Sequence, residues 1–244
     1  MAEPQTKPAY YAAGPGRWRD WWTLLHPPFT AWHLSYVVLG AMIAPHVRLD
    51  RLVATLVAFF LAVGVAAHAL DELHGRPLRT SIPSPMLVAV TVVGLAGAVA
   101  LGAIGITRVG WVLLPFMIIG PLLVVGYNVE LFGGLIHTDT GFAAAWGAFP
   151  ALTGYVAEAG KVAVAPALVA AAAMAMSAGQ RHLSTPARTL RRRTASVTGV
   201  QTLTTGETIT LDAIRLREPL ERALRSFSWG IVLFAAALAT ARLA

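Results

Sequence analysis

An all-α, polytopic membrane bundle of about seven transmembrane helices, carrying one short β-hairpin, is the fold class this sequence predicts. Three observations predict it: 56% of the 244 residues are hydrophobic, only 13% are charged, and the apolar residues gather in long uninterrupted runs. A soluble domain of this composition would have too little polar surface to cover itself. A bilayer core instead takes roughly 20 consecutive apolar residues per helix.

Residues 1–29 form a polar tail and then Arg17-Trp18-Arg19-Asp20-Trp21-Trp22-Thr23-Leu24-Leu25-His26-Pro27-Pro28. Tryptophans beside basic residues predict a helix lying at headgroup depth, stopped by the two prolines. No cleavable leader is expected, since no short apolar stretch with a small-residue cleavage site opens the chain. Residues 30–178 hold six apolar runs, at 30–44, 52–70, 86–106, 109–127, 141–156 and 162–177. The third and sixth are rich in Gly and Ala, which suits close backbone approach between helices. Residues 179–226 are a basic segment outside the membrane, and 227–244 return as a last spanning helix. Within the basic segment, β-branched residues around Thr205-Gly206 predict a hairpin over 197–211. Pro219 is placed as a first helical residue leading into the last span.

No cysteine is present, which excludes disulfides, thiolate chemistry, iron–sulfur clusters and Cys-ligated zinc. The formal charge of +7 follows topology rather than nucleic acid, and none is expected as a partner. With the N-terminus in the cytosol, most Lys and Arg fall on one side. That orientation gathers the Asp71 loop, the 130–139 loop and the basic segment on the cytosolic face, beside membrane lipids as the expected partner.

Chemistry concentrates in Ala67-His68-Ala69-Leu70-Asp71-Glu72-Leu73-His74-Gly75-Arg76-Pro77-Leu78, where ionisable groups close an apolar run. Such groups at a membrane edge are costly and point to function, although a plain boundary role is the alternative. Oxygen ligands from Asp71 and Glu72 suit magnesium shared with a phosphate. His68 and His74 beside those acids would instead suit iron, zinc or manganese. The acid-free stretch 180–193, with five arginines, reads either as an anchor for anionic headgroups or as a diphosphate site. His137 and Asp139 are candidate proton acceptors, with Asp139 as a helix cap the alternative. His33 and Tyr36 either line a cavity or pair with another helix.

The Trp-rich entry, Leu25-His26-Pro27-Pro28-Phe29, the acidic loop followed by Gly75-Arg76-Pro77-Leu78, and Trp146-Gly147-Ala148-Phe149-Pro150 opening the fifth run together resemble the UbiA-type intramembrane prenyltransferases over roughly 18–177. The resemblance implies a helical bundle around a central cavity and an isoprenyl diphosphate held through magnesium on two Asp-rich motifs. Its magnesium ligands would be Asp71 and Glu72, with His68 near the position of the family's Asn-Asp pair, whereas His68 and His74 as ligands belong to the metalloenzyme alternative. Arg76, Arg79, Arg181 and His182 would meet the diphosphate, His33 and Tyr36 the substrate, and Asp71, His137 and Asp139 would serve catalysis. The second Asp-rich motif is missing: Gln180, Arg181 and His182 stand where its acids belong. Two other functions therefore stay open, a non-catalytic lipid- or quinone-binding scaffold and an intramembrane His/carboxylate metalloenzyme.

Overall fold

The computed structural model describes residues 7–14 and 16–244, with Phe132 described by its backbone alone. The first six residues of the expected tail lie outside the described residues. In chain order the elements are α1 (Arg17–Leu24), α2 (Pro27–Met42), α3 (Leu49–Leu73), α4 (Ser84–Val109), α5 (Trp111–Asn128), the short α6 (Leu131–Gly134), α7 (139–159), α8 (Ala165–Arg192), β1 (Gly199–Thr202), β2 (Thr208–Leu211) and α9 (Ala213–Leu243). Four of them, α3, α4, α5 and α9, are long and apolar enough to cross a membrane. The chain is a helical membrane protein with a small antiparallel hairpin.

Local sequence explains how the elements begin. Pro27 and Pro28 occupy the first turn of α2, where a missing N–H costs nothing. They both end the tryptophan-rich helix and start the next one. His26 joins the two in a left-handed conformation, φ 46°. In α1, Trp18 and Trp22 point outward, 88% and 55% exposed, while Trp21 packs inward with Leu24 against Ala69 and Leu87. Thr138 caps α7 by accepting from the Gly141 N–H, so Asp139 is the first helical residue and not the cap. Asp212 caps α9 in the same way through Arg215. That helix therefore starts six residues before Pro219, which sits in its second turn.

Burial centres on α2, which packs against α7, α8 and α9; Trp32 and Tyr36 are fully enclosed there with Ala151, Ala173 and Ile231. Backbones meet closely at small residues. An added Cβ at Gly94 would lie 2.8 Å from the Leu61 carbonyl oxygen, as the Gly-rich third run leads one to expect. The tightest approach, however, is between α2 and α7, at Gly40 and Gly154. Helix α8 runs without a break through residue 178, so the basic segment begins as a rigid extension of an apolar helix. The hairpin falls where the sequence places it, with Gly199 opposite Leu211 and Thr202 opposite Thr208.

Two stretches widen from α-helical to π-helical hydrogen bonding: Phe60–Ala67 within α3 and Ala144–Ala148 within α7. Such insertions re-aim carbonyls and occur at functional sites. Here they face one another across a cluster of Phe59, Val63, Tyr127 and Trp146.

The basic extension of α8 is pinned to α9 by Arg191, whose Nε and Nη2 each donate at 2.7 Å to the two oxygens of Glu221. Both side chains are about nine-tenths enclosed, at 11% and 9% exposure. Arg191→Ala is expected to cost about 2 kcal/mol, below the roughly 3–5 kcal/mol of a wholly abandoned buried ion. Arg217, 3.5 Å from the same carboxylate, supplies the difference. Thermal unfolding in detergent checks the value, and Arg191→Ala combined with Glu221→Leu should recover part of the loss.

Candidate functional site

A cavity of about 730 Å³ opens at the arginine-rich end of the bundle, between α2, α3, α5, α7 and α8. The segment 8–11 runs along its edge. The carbonyls of Lys7 and Pro8 accept from Arg191 Nη1 at 3.0 Å and Arg192 Nε at 2.8 Å. Tyr11 packs on Phe29 and His26, with ring centres 5.7 and 5.2 Å away. Enclosure raises the pKa of Tyr11 and pushes that of Tyr10 up to about 12, so both phenols stay neutral.

The deep wall is made of imidazoles placed by the π-helical turns. His33 Nδ1 lies 2.8 Å from the Trp146 carbonyl and His68 Nδ1 3.1 Å from the Gly64 carbonyl. His137 Nδ1 lies 2.8 Å from the Tyr127 carbonyl. A carbonyl only accepts, so each Nδ1 carries a proton, and Nε2 is the nitrogen at which the ring can accept another. His68 stacks on His26 with ring centres 4.2 Å apart, and His137 stacks on Tyr127 at 4.4 Å. Burial, reinforced by His68, holds His26 well below the ordinary imidazole pKa.

Not every residue singled out in the sequence reaches this space. Asp71, His68, His74, Arg76, Arg79, His33, His137 and Arg181 line it. Glu72 does not: its carboxylate is fully buried and accepts from the N–H groups of Leu78 and Thr80 and from Thr80 Oγ1, all at 2.9 Å. The acid expected as a metal ligand instead holds the 74–80 loop. Tyr36 is enclosed in the core, where its hydroxyl meets Trp32 Nε1 and Ser177 Oγ. His182 is exposed and faces away from the cavity. Asp139 stands outside it, 2.8 Å from Arg181 Nε, and that guanidinium lowers its pKa. Arg76 lines the rim but spends its donors on the Thr80 and Ile82 carbonyls and Ser84 Oγ.

Charge in the cavity is strongly one-sided, with seven arginines against Asp71, Glu130 and Glu221. Several arginines are already engaged, Arg191 with Glu221 and Arg181 with Asp139. Arg188 is not: among the described residues its sole hydrogen-bond partner is Thr185 Oγ1 at 3.4 Å. It is reached by solvent but sits in a concave surface, and burial together with Arg181 and Arg192 lowers its pKa. Arg181, Arg188 and Arg192 recur at seven and four residues along α8, so they share a helix face. That stripe was legible in the basic run, whereas His26 and Tyr11 gave no pattern to read.

The carboxylate set does not fit the magnesium that a UbiA-like site implies. Glu72 has both oxygens occupied, residues 180–199 supply no acid, Glu221 is held by Arg191, and Glu130 lies beside His137, which leaves Asp71 opposite the guanidiniums. Among the described residues no group of three or more His, Asp and Glu side chains is placed to hold a metal ion.

A second cavity of about 320 Å³ lies between α3, α4, α5 and α7, lined mainly by groups such as Ala58, Ala62, Leu101, Met117 and Phe149. Val63 and Trp146 line both cavities, so the polar chamber and the apolar one share a wall. Compared with known proteins, the chain matches no family model, and neither a curated protein nor a solved structure matches it.

Proposed function

We propose that this chain is a UbiA-like, seven-span membrane protein that binds an isoprenyl diphosphate, headgroup in the arginine-lined cavity and tail in the apolar one. One observation carries the reading: a chamber rich in guanidinium groups and a chamber lined mainly by hydrocarbon lie side by side, with Val63 and Trp146 lining both. A ligand that fills both must be an anion at one end and a hydrocarbon at the other. By the positive-inside asymmetry the headgroup end faces the cytosol. The three shorter or more polar helices α2, α7 and α8 would complete the bundle around α3, α4, α5 and α9.

Prenyl transfer is the reaction such a site would support. The allylic C–O bond breaks with its electron pair leaving on the diphosphate, where arginines stabilise the developing charge. The carbocation forms beside Phe142, Tyr127 and Trp146, whose faces attract positive charge. An acceptor bond forms in its place, and the acceptor's proton passes to an imidazole Nε2 of the His33 and His68 wall. The scaffold reading shares the ligand and omits these steps.

Equilibrium binding of radiolabelled farnesyl diphosphate to the purified chain in lipid nanodiscs, with magnesium present, tests the reading. Binding should be at least about tenfold tighter than for pyrophosphate or farnesol alone, a difference of about 1.4 kcal/mol. Equal affinity for farnesol and its diphosphate would remove the headgroup site, and no binding of any of the three would remove the reading altogether.

A further inference from the structure

Resting on that reading, we infer that Arg188 and Arg192 grip the diphosphate directly and that the site needs no divalent cation. A metal site for a phosphate requires acidic side chains turned inward, so that the cation bridges two sets of negative oxygens. This cavity has the opposite polarity. Of the adjacent acids Asp71 and Glu72, one is consumed by the loop it holds. Among the described residues Arg188 is without a carboxylate partner, and Arg192 donates only its Nε, to the Pro8 carbonyl. Apart from the long 3.4 Å contact of Arg188 Nη2 with Thr185 Oγ1, their terminal nitrogens therefore remain for a ligand, in the planar fork geometry that matches phosphate oxygens.

Asp71 then has a different task from metal binding. It lies within electrostatic reach of both arginines, yet no ion pair joins it to either among the described residues. It offsets their mutual repulsion while the cavity is empty, and it opposes the diphosphate when that arrives. The two schemes thus predict opposite signs for one substitution. A metal ligand at position 71 makes Asp71→Asn lose binding, whereas a resting counter-ion makes Asp71→Asn gain it.

The test repeats the farnesyl diphosphate titration in nanodiscs with EDTA and with magnesium. Kd is expected to agree within about threefold between the two conditions, a difference of under 1 kcal/mol. It should weaken as salt rises, because the contact is between charges. Arg188→Gln should raise Kd about tenfold or more in both conditions, the loss of a charge-assisted contact, and Arg188→Lys should recover only part of it. Asp71→Asn should bind as tightly as the parent or more tightly. Binding with magnesium that disappears in EDTA, or its loss in Asp71→Asn, overturns the inference while leaving the proposed ligand in place. Absence of binding in both conditions overturns the inference together with the reading beneath it. Near-parental melting of Arg188→Gln, whose side chain lies at the cavity surface, confirms that a weakened affinity reports the site; if it melts early, the EDTA comparison on the parent protein decides alone.

Discussion

Gly40→Ala is expected to destabilise the protein by about 3 kcal/mol or more, although alanine is the better helix former. In an exposed helix the same change would stabilise by about 1 kcal/mol, because glycine loses more backbone freedom on folding. At Gly40 the added Cβ would lie 1.9 Å from the Ala151 carbonyl oxygen and 2.7 Å from its carbon. The contact is reciprocal, since a Cβ at Gly154 would lie 2.1 Å from the Val37 carbonyl oxygen. Both opposing atoms are backbone, so no rotamer change relieves the overlap; α2 and α7 must separate, and overpacking of this kind typically costs about 1–3 kcal/mol or more. Separation would also loosen the enclosure of Trp32 and Tyr36 and shift His33 from the Trp146 carbonyl. Gly230 in α9 is the control, because nothing lies within 4 Å of its Cβ position. Melting in detergent should show Gly40→Ala and Gly154→Ala well below the parent, and Gly230→Ala at or above it. A Gly40→Ala protein as stable as the parent would mean that the two helices do not meet here.

The sequence reads differently at different length scales. Apolar runs mark where helices lie, since burial or lipid contact over many residues leaves a pattern that no single substitution hides. Helix α8 shows the limit: hydropathy ends the run near residue 177, but backbone hydrogen bonding continues to Arg192 because polar residues are as good helix formers as apolar ones. Packing contacts are less legible. The Gly- and Ala-rich third and sixth runs advertise close approach, yet the closest pair is formed by isolated glycines in the first and fifth.

Site residues are the least legible because a helix turns about 100° per residue. Asp71 and Glu72 are neighbours in sequence and chemically alike, but one faces the cavity and the other the loop behind it. His33 and Tyr36 are three residues apart, and only the first reaches the cavity. The π-helical turns add a further rotation that periodicity does not foresee. Arginine spacing along α8 escapes this problem, since the intervals of seven and four residues bring Arg181, Arg188 and Arg192 to one side whatever the helix's orientation. Pairwise intervals within one helix can therefore be read from the chain, whereas the direction of a single side chain needs its neighbours.

Glu72→Gln is expected to cost about 3 kcal/mol and to loosen the loop that rims the cavity. The carboxylate accepts three hydrogen bonds, from Leu78 N, Thr80 N and Thr80 Oγ1, and no water reaches it. An amide of the same shape has one oxygen, so its NH2 group must face an N–H that now lacks an acceptor. Each buried donor left unsatisfied costs about 1–3 kcal/mol. The loop is poorly able to absorb that loss, because Arg76 and Arg79 are held in left-handed conformations, φ 53° and 55°, which a non-glycine residue adopts only when its surroundings impose it. Release of one of these backbone amides weakens that constraint. Melting temperature and protease cleavage within 74–83 should both change in Glu72→Gln, with or without magnesium, while Asp71→Asn should leave both near the parent's values. The asymmetry separates an acid that builds the rim from one that faces the cavity. A Glu72→Gln protein that melts like the parent but has lost magnesium-dependent binding would return Glu72 to the role of metal ligand.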